Sequence, residues 1–296
     1  MHDEHKKVVH STWKEERNGE FPQVLEYRSH WQQLGYEVRV TPNQDIRRDV
    51  ERLVAMTNLT DGGKTNRLLE TFDHLPTTNL QFDFWRYAIL YLEGGTYADV
   101  DVDPRSRIND WQQYATTTQS VVVFEESPTW MGDSQWMKML RPFVCNYPDL
   151  PAYGSCVVVA PSTPNHSFFL DLLLAVNLEE WMDTPEPQRT LMMVGPGHLT
   201  RFVKARLDVD VTDVVVVSQL EAKEAYQHDG FGTWKSSSTI LFEKLGSKAC
   251  LYSIFLVMGL LLVLFRMRRG RGDRGSKRRC KACHGLCKCT WLDNIR

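Results

Sequence analysis

The most regular stretch of the chain runs through residues 81–104. Phe82, Trp85, Ile89 and Leu92 recur at helical spacing, which predicts a helix from about residue 79. Gly94-Gly95 follows and supplies the left-handed conformation that ends such a helix. Residues 96–100 are short and β-prone and run into Asp99, Asp101 and Asp103, so the acids are expected at a strand's carboxyl end. In open α/β sheets that edge is where ligands sit.

The same pattern reading extends in both directions. Residues 6–13 read as a first strand with Val8-Val9 central and Trp13 at its end. Pro22 suits a helix start, and Val24, Tyr27, Trp31 and Leu34 continue at helical spacing to Gly35. Residues 37–41 alternate as a second strand, 45–56 form a helix with a polar outer face, and 58–64 form a loop around Gly62-Gly63. Strand, helix, strand in that order predicts a right-handed parallel unit.

Downstream, residues 121–124 and 156–160 read as buried strands, and 133–140 as a helix. Residues 153–155 read as a turn, 161–167 as the turn that starts a helix over 168–177, and 185–187 as a linker. Gly195-Pro196-Gly197 predicts a bend before a short helix over 198–205, whose amino end could face an anion and whose His198 is expected at the surface. Residues 211–218 read as the last strand and 227–238 as a loop able to close over a ligand. The expectation is one α/β domain over residues 1–248.

Composition adds a second feature. The chain has 296 residues, 42% of them hydrophobic, enough for one sizeable core. Its net charge of −2 conceals an asymmetry: residues 266–296 hold eleven Lys and Arg against Asp273 and Asp293, a net +9, which leaves −11 on residues 1–265. An acidic body is no footprint for nucleic acid. Between the two lies an uncharged stretch, residues 249–265, bounded by Lys248 and Arg266, long enough at ~1.5 Å per residue to cross a thin bilayer. A single transmembrane helix is expected there, with the basic tail in the cytosol and the body in a lumen of the secretory pathway, such as the Golgi.

That topology calls for an amino-terminal signal, and Met1 to Lys7 does not read as one. The expectation is a chain lacking its natural start, the alternative a chain inserted from its carboxyl end. Asn58-Leu59-Thr60 and Asn165-His166-Ser167 would be glycan acceptors in a lumen. Cys145 and Cys156 are open to pairing there or to being core thiols. In the tail, Cys280, Cys283, His284, Cys287 and Cys289 offer enough soft ligands for one Zn²⁺, and lipidation of juxtamembrane cysteines is the competing reading.

The chemistry concentrates at the acids. Carboxylates at alternate positions repel unless a cation or proton intervenes. Asp99 and Asp101 offer hard oxygen ligands suited to Mg²⁺ or Mn²⁺, ions that usually complete their shell with water and substrate phosphates. Asp83 and Arg86 are three apart and share a helix face, so one carboxylate and one guanidinium could meet the same ligand. A calcium loop would need glycine where Pro104 stands. A phosphatase-type Asp-x-Asp nucleophile and a solvated acidic turn remain as alternatives.

These residues carry a resemblance. Asp83-x-x-Arg86-Tyr87 followed by Leu92-x-Gly94-Gly95-x-Tyr97-x-Asp99-x-Asp101 resembles the signature of the DXD sugar transferases, glycosyltransferase family 32, and more distantly that of glucosylating clostridial toxins. His10-Ser11-Thr12-Trp13-Lys14 is similar to the family's opening strand, residues 195–200 to its Gly-Pro-Gly-x-Leu-Thr turn, and His228 with Gly232-Thr233-Trp234 to its late segment. The resemblance implies a GT-A, Rossmann-like fold and Mn²⁺-dependent hexose transfer from a nucleotide sugar, GDP- or UDP-linked, with retention, to a glycan or glycolipid acceptor. By position, Asp99, Asp101 and His228 would hold the metal, Asp83 and Arg86 the donor sugar, Trp13 the base, and Thr233 and Trp234 the diphosphate. Asp83, Arg86 and Asp101 are then the candidate catalytic residues, and Tyr153, Gly154 and Ser155 would lie beside the acceptor if they are more than a turn. A transmembrane segment after the catalytic domain resembles fungal inositol-phosphoceramide mannosyltransferases, which points to mannose.

Overall fold

The computed structural model describes residues 7–13, 22–61, 66–125, 153–184, 188–209 and 211–229. Contacts divide the chain into Met1–Phe231 and Gly232–Arg296, and every described residue lies in the first unit. In chain order the elements are β1 (Val8–Trp13), α1 (Pro22–Gln33), β2 (Glu37–Pro42), α2 (Ile46–Asp61), α3 (Asn66–Asp73), α4 (Thr78–Glu93), β3 (Thr96–Ala98), β4 (Val102–Pro104), α5 (Ile108–Thr118) and β5 (Val121–Glu125). Then come β6 (Tyr153–Val159), α6 (Ser167–Leu174), α7 (Leu178–Trp181), α8 (Gln188–Met193), α9 (Pro196–Asp208), β7 (Val214–Val217), α10 (Gln219–Ala225) and β8 (Tyr226–His228).

Six strands form one sheet in the order β2-β1-β3-β6-β5-β7. Only β6 is antiparallel to its neighbours, so the sheet is parallel apart from that strand. The remaining two, β4 and β8, pair antiparallel as a separate ribbon. Side chains alternate across the sheet as the pleat requires. Tyr97, Val121, Val123 and Val158 pack with α2, α3, α4, α6 and α9. Ala98, Val122, Phe124, Val157 and Val159 pack with Trp31 of α1, Ile108 and Ala115 of α5 and Ala222 of α10. Helices therefore cover both faces, as a mostly parallel sheet demands.

Helix α4 is central. Thr77 caps its amino end by accepting from the Leu80 N–H, and Gly94 closes its carboxyl end by donating to Leu90 O. Ten of its residues are buried, and Asp83 and Arg86 are the only charged ones among them. Gly94 and Gly95 both have positive φ, 67° and 86°, which lets the chain reverse directly into β3 beside β1.

Several sequence expectations hold in place and fail in extent. β1, α1, β2 and β5 stand within two residues of their predicted bounds. The loop expected over 58–64 begins later, because α2 continues to Asp61. α3 and α5 were not anticipated; each is anchored by apolar side chains, Leu68 and Phe72 in one and Ile108 and Ala115 in the other. Tyr153, Gly154 and Ser155, read as a turn, open strand β6 instead, where backbone pairing to Phe124 and Glu125 holds them extended. The short helix expected over 198–205 is thirteen residues long. His198 is buried rather than at the surface: its Nε2 meets Leu172 O at 2.9 Å, and burial holds its pKa down. Residues 227–228, expected in a loop, form β8 because β4 pairs with them.

Among the described residues no helix is long and apolar enough to cross a membrane. Residues 249–265, the basic tail, Cys145, the 133–140 helix and the linker at 185–187 lie outside the described residues.

Candidate active site

β3 is three residues long and is flanked by β1 and β6. Its carboxyl end therefore opens where β1 also ends and antiparallel β6 begins, which gathers Trp13, Asp99 and Tyr153–Ser155 at one sheet edge. Ser11 Oγ ties β1 to β3 by donating to Ala98 O at 2.6 Å. The Asp99 N–H donates to Cys156 O at 2.8 Å, and Asp99 O accepts from the Val102 N–H at 3.1 Å. That last bond is a tight turn, and it swings the chain off the main sheet into β4.

The turn separates the three alternating acids. Asp99 stays at the end of β3, Asp101 lies at the apex, and Asp103 in β4 faces α1, where its Oδ1 is 2.7 Å from His30 Nδ1. The antiparallel partner of β4 is β8, with Val102 opposite His228. His228 Nε2 comes to 3.4 Å from Asp101 Oδ1. One ligand atom each from Asp99, Asp101 and His228 lies within 4.8 Å of the others. Two carboxylates and an imidazole at this separation are a donor set for a divalent cation such as Mn²⁺.

Behind this cluster sits a buried charge system. Asp83 and Arg86 pair with each other on α4, and Arg86 also donates to Ser155 O. Arg86 Nη2 is 3.9 Å from Asp99 Oδ1, and its guanidinium lies 4.8 Å from the centre of the Tyr97 ring. Desolvation pushes the Asp83 carboxyl up to about 6, with Arg86 pulling it down and Asp99 adding to the rise. Asp99 is also raised, by desolvation first, with Arg86 opposing and Asp101 reinforcing. Burial by itself would weaken the charge on Arg86, but Asp83, Tyr97 and Asp99 together hold it protonated. Arg86 Nε has no acceptor among the described residues. An excess of carboxylates around one guanidinium is the electrostatic condition that a bound cation relieves.

The amino end of α9 enters this system from the other side. A Cβ on Gly195 would stand 3.1 Å from Asp83 Oδ2 and 2.7 Å from Thr190 O, so only glycine fits between them. The helix end that the sequence offered to an external anion thus sits against the internal carboxylate of Asp83. A separate cavity of about 240 Å³ is lined by Arg39, Arg48, Arg52, Asp49 and Glu93, and it shares no residue with the carboxylate cluster.

Residues 3–118 match the family model described as the glycosyltransferase sugar-binding region containing DXD motif. That match takes in Asp83, Arg86, Asp99 and Asp101 and ends before His228. The HOC1 protein of Saccharomyces cerevisiae, a glycosyltransferase by name, is 46% identical to the chain over 44 residues, 15% of this chain; the match spans 11% of that protein's length. Among solved structures, the UDP-bound glycosyltransferase domain of the YGT toxin is similar at 13% identity, covering 73% of this chain and 60% of that one, with a TM-score of 0.38. The ligand-free form of that toxin domain is similar at 11% identity, covering 71% and 79%, with a TM-score of 0.33.

Within the matched residues the structure brings Asp83, Arg86, Asp99 and Asp101 into one connected group, with Trp13 buried at the same sheet edge. His228 joins them from beyond the region. Thr233 and Trp234 lie outside the described residues. Three contributions differ from the sequence reading, which had Ser155 only beside the acceptor and gave Tyr97 and the Tyr27–Asp229 pair no role. Tyr97 hydroxyl donates to Asp99 Oδ1 at 2.6 Å, Ser155 contributes a backbone carbonyl, and Tyr27 pairs with Asp229 next to His228. Tyr97 stood within the motif, and its distance of two from Asp99 was the available signal. Nothing in the sequence marks the Tyr27–Asp229 pair.

Proposed function

We propose that this chain transfers a hexosyl group from a nucleoside-diphosphate sugar to a hydroxyl of a glycan or glycolipid, on a GT-A-type fold. The observation that carries this reading is the convergence of Asp99, Asp101 and His228 within 4.8 Å, next to the buried Asp83–Arg86 pair, in a DXD glycosyltransferase region. Those three residues would hold a divalent cation, Mn²⁺ or Mg²⁺. When bound, the cation neutralises charge that develops on the departing diphosphate.

The chain's own groups supply the rest. Arg86 is kept charged and pre-aimed by Asp83, Tyr97 and the Ser155 carbonyl, so it needs little reorganisation to face donor oxygens. Asp83 and Arg86 together orient the hexose so that an acceptor hydroxyl meets its anomeric carbon at short range. Trp13 ends β1 where a flat base could stack. No described residue stands out as a base. Retention, with the leaving phosphate taking the acceptor's proton, agrees with that arrangement. Mannose is the favoured hexose on the resemblance to fungal mannosyltransferases.

The apolar stretch 249–265 and the basic tail support a single-pass anchor in a Golgi or other secretory membrane. A thermal-shift screen of nucleotide sugars with and without Mn²⁺ tests the donor reading. A specific donor at ~100 times its Kd is expected to stabilise by ~2.7 kcal/mol only with metal, and Asp101→Asn is expected to abolish the shift. Release of inorganic phosphate from a phosphomonoester, without transfer of sugar, would overturn it.

A further inference from the structure

The ligands of the proposed cation site come from two structural sources. Asp99 ends a strand of the main sheet, whereas Asp101 and His228 ride on the β4–β8 ribbon. That ribbon has three residue pairs, Val102 with His228, Asp103 with Gln227 and Pro104 with Tyr226. A two-stranded ribbon of this length does not hold its shape in water without outside support.

Its two ends are supported differently. At the root, opposite Pro104, Tyr226 is buried and stacks edge-on against Phe124 at 5.3 Å. At the ligand-bearing end Val102 is fully buried in the core, and a set of polar contacts comes from α1. Tyr27, His30 and Trp31 lie three and four residues apart, on one helix face. Trp31 Nε1 donates to Val102 O at 3.3 Å, His30 meets Asp103, and the Tyr27 hydroxyl donates to Asp229 Oδ2. Asp229 is held from two further sides: Gln227 Nε2 donates to its Oδ1 at 2.8 Å, and its own N–H donates to Asp101 O at 3.1 Å. The residue after one ligand is thus bonded to the backbone of the other and stapled to α1.

We infer that Tyr27 and Asp229 are positioning residues for the cation site: their bond fixes the Asp101–His228 separation and so sets cation affinity. The inference rests on the cation reading of Asp99, Asp101 and His228. Neither Tyr27 nor Asp229 supplies one of the three candidate ligand atoms, and the apolar root of the ribbon does not depend on them. Groups that orient metal ligands in this way typically govern affinity by ~10–100-fold.

The test uses the full chain and Mn²⁺ alone, with binding followed by the electron paramagnetic resonance of free Mn²⁺. Co²⁺ absorption serves as a second readout of ligand geometry, and metal-free melting as a third. Tyr27→Phe and Asp229→Ala are expected to weaken Mn²⁺ binding ~10–100-fold and to alter the Co²⁺ spectrum, with the metal-free melting temperature unchanged. Asp229→Asn keeps an oxygen for Tyr27 and is expected to retain most of the affinity. Wild-type Mn²⁺ affinity in Tyr27→Phe and Asp229→Ala, alongside loss in Asp101→Asn, would overturn the positioning role and spare the cation site. Wild-type affinity in Asp101→Asn would remove the site and this inference together. If metal-free stability falls in step with affinity, and Asp229→Asn does no better than Asp229→Ala, the contact is structural and the inference fails.

Discussion

Tyr97 lies between two charges of opposite sign: its ring centre is 4.8 Å from the Arg86 guanidinium carbon, and its hydroxyl donates to Asp99 Oδ1 at 2.6 Å. One buried side chain therefore orients both the Asp99 carboxylate and the Arg86 guanidinium.

Tyr97→Phe keeps the ring under Arg86 and removes only the bond to Asp99. Stability is expected to fall by about 1 kcal/mol, the usual worth of one such bond, while Mn²⁺ affinity falls ~10-fold or more. Chemical denaturation of the metal-free protein and Mn²⁺ titration measure the two separately.

Gly94→Ala and Gly95→Ala place a Cβ where φ is positive and where backbone already stands. The added atom would be 2.4 Å from Pro161 O at Gly94 and 2.8 Å from Val8 O at Gly95. Carbonyls fixed in strands and turns cannot step aside, so each variant is expected to lose well over 1 kcal/mol. Because this turn aims β3, transferase activity is expected to fall further than stability, which kinetics at a temperature well below each melting point would reveal.

Arg86→Met removes the cation that offsets Asp83. Asp83 is raised above the ordinary 3.8 to about 6 by desolvation, so its contribution to stability is complete below pH ~4 and is lost as pH rises through about 6. The variant is expected to be least stable near pH 8, by about 3–5 kcal/mol, and to recover towards pH 5, where Asp83 stays protonated. Adding Asp83→Asn should flatten that dependence. Denaturant midpoints across pH 5–8 for the single and double variants check both statements.

His10 works in the opposite sense. It is almost fully buried, with Nε2 3.2 Å from Gly94 O, and burial lowers its pKa from 6.5 to about 4 despite the pull of Glu93. A base with a depressed folded pKa favours the fold above pH 6.5 and ceases to as pH falls towards 4. Across that window the wild type is expected to lose roughly 3 kcal/mol that His10→Gln does not lose. The difference between the two stability curves isolates this residue from Asp83.

The sequence by itself determined what depends on near neighbours. Apolar spacing fixed α1 and α4, the glycine pair fixed the reversal after α4 because only such residues tolerate positive φ there, and a separation of three put Asp83 and Arg86 on one helix face. The cluster of alternating acids was legible as a centre of charge for the same local reason.

Tertiary structure decided what depends on partners far along the chain. It inserted antiparallel β6 between β3 and β5, so that Ser155 reaches Arg86 from 69 residues away. It sent Asp103 to His30 and brought His228 to Asp101, because β4 leaves the main sheet and takes β8 as its partner. It buried His198, and it laid the Gly195 end of α9 against Asp83, where sequence suggested a surface histidine and an open anion site. Periodicity reports which face of an element is apolar; it carries no information about which distant strand will pair with it, and that pairing decided which side chains meet at Asp101.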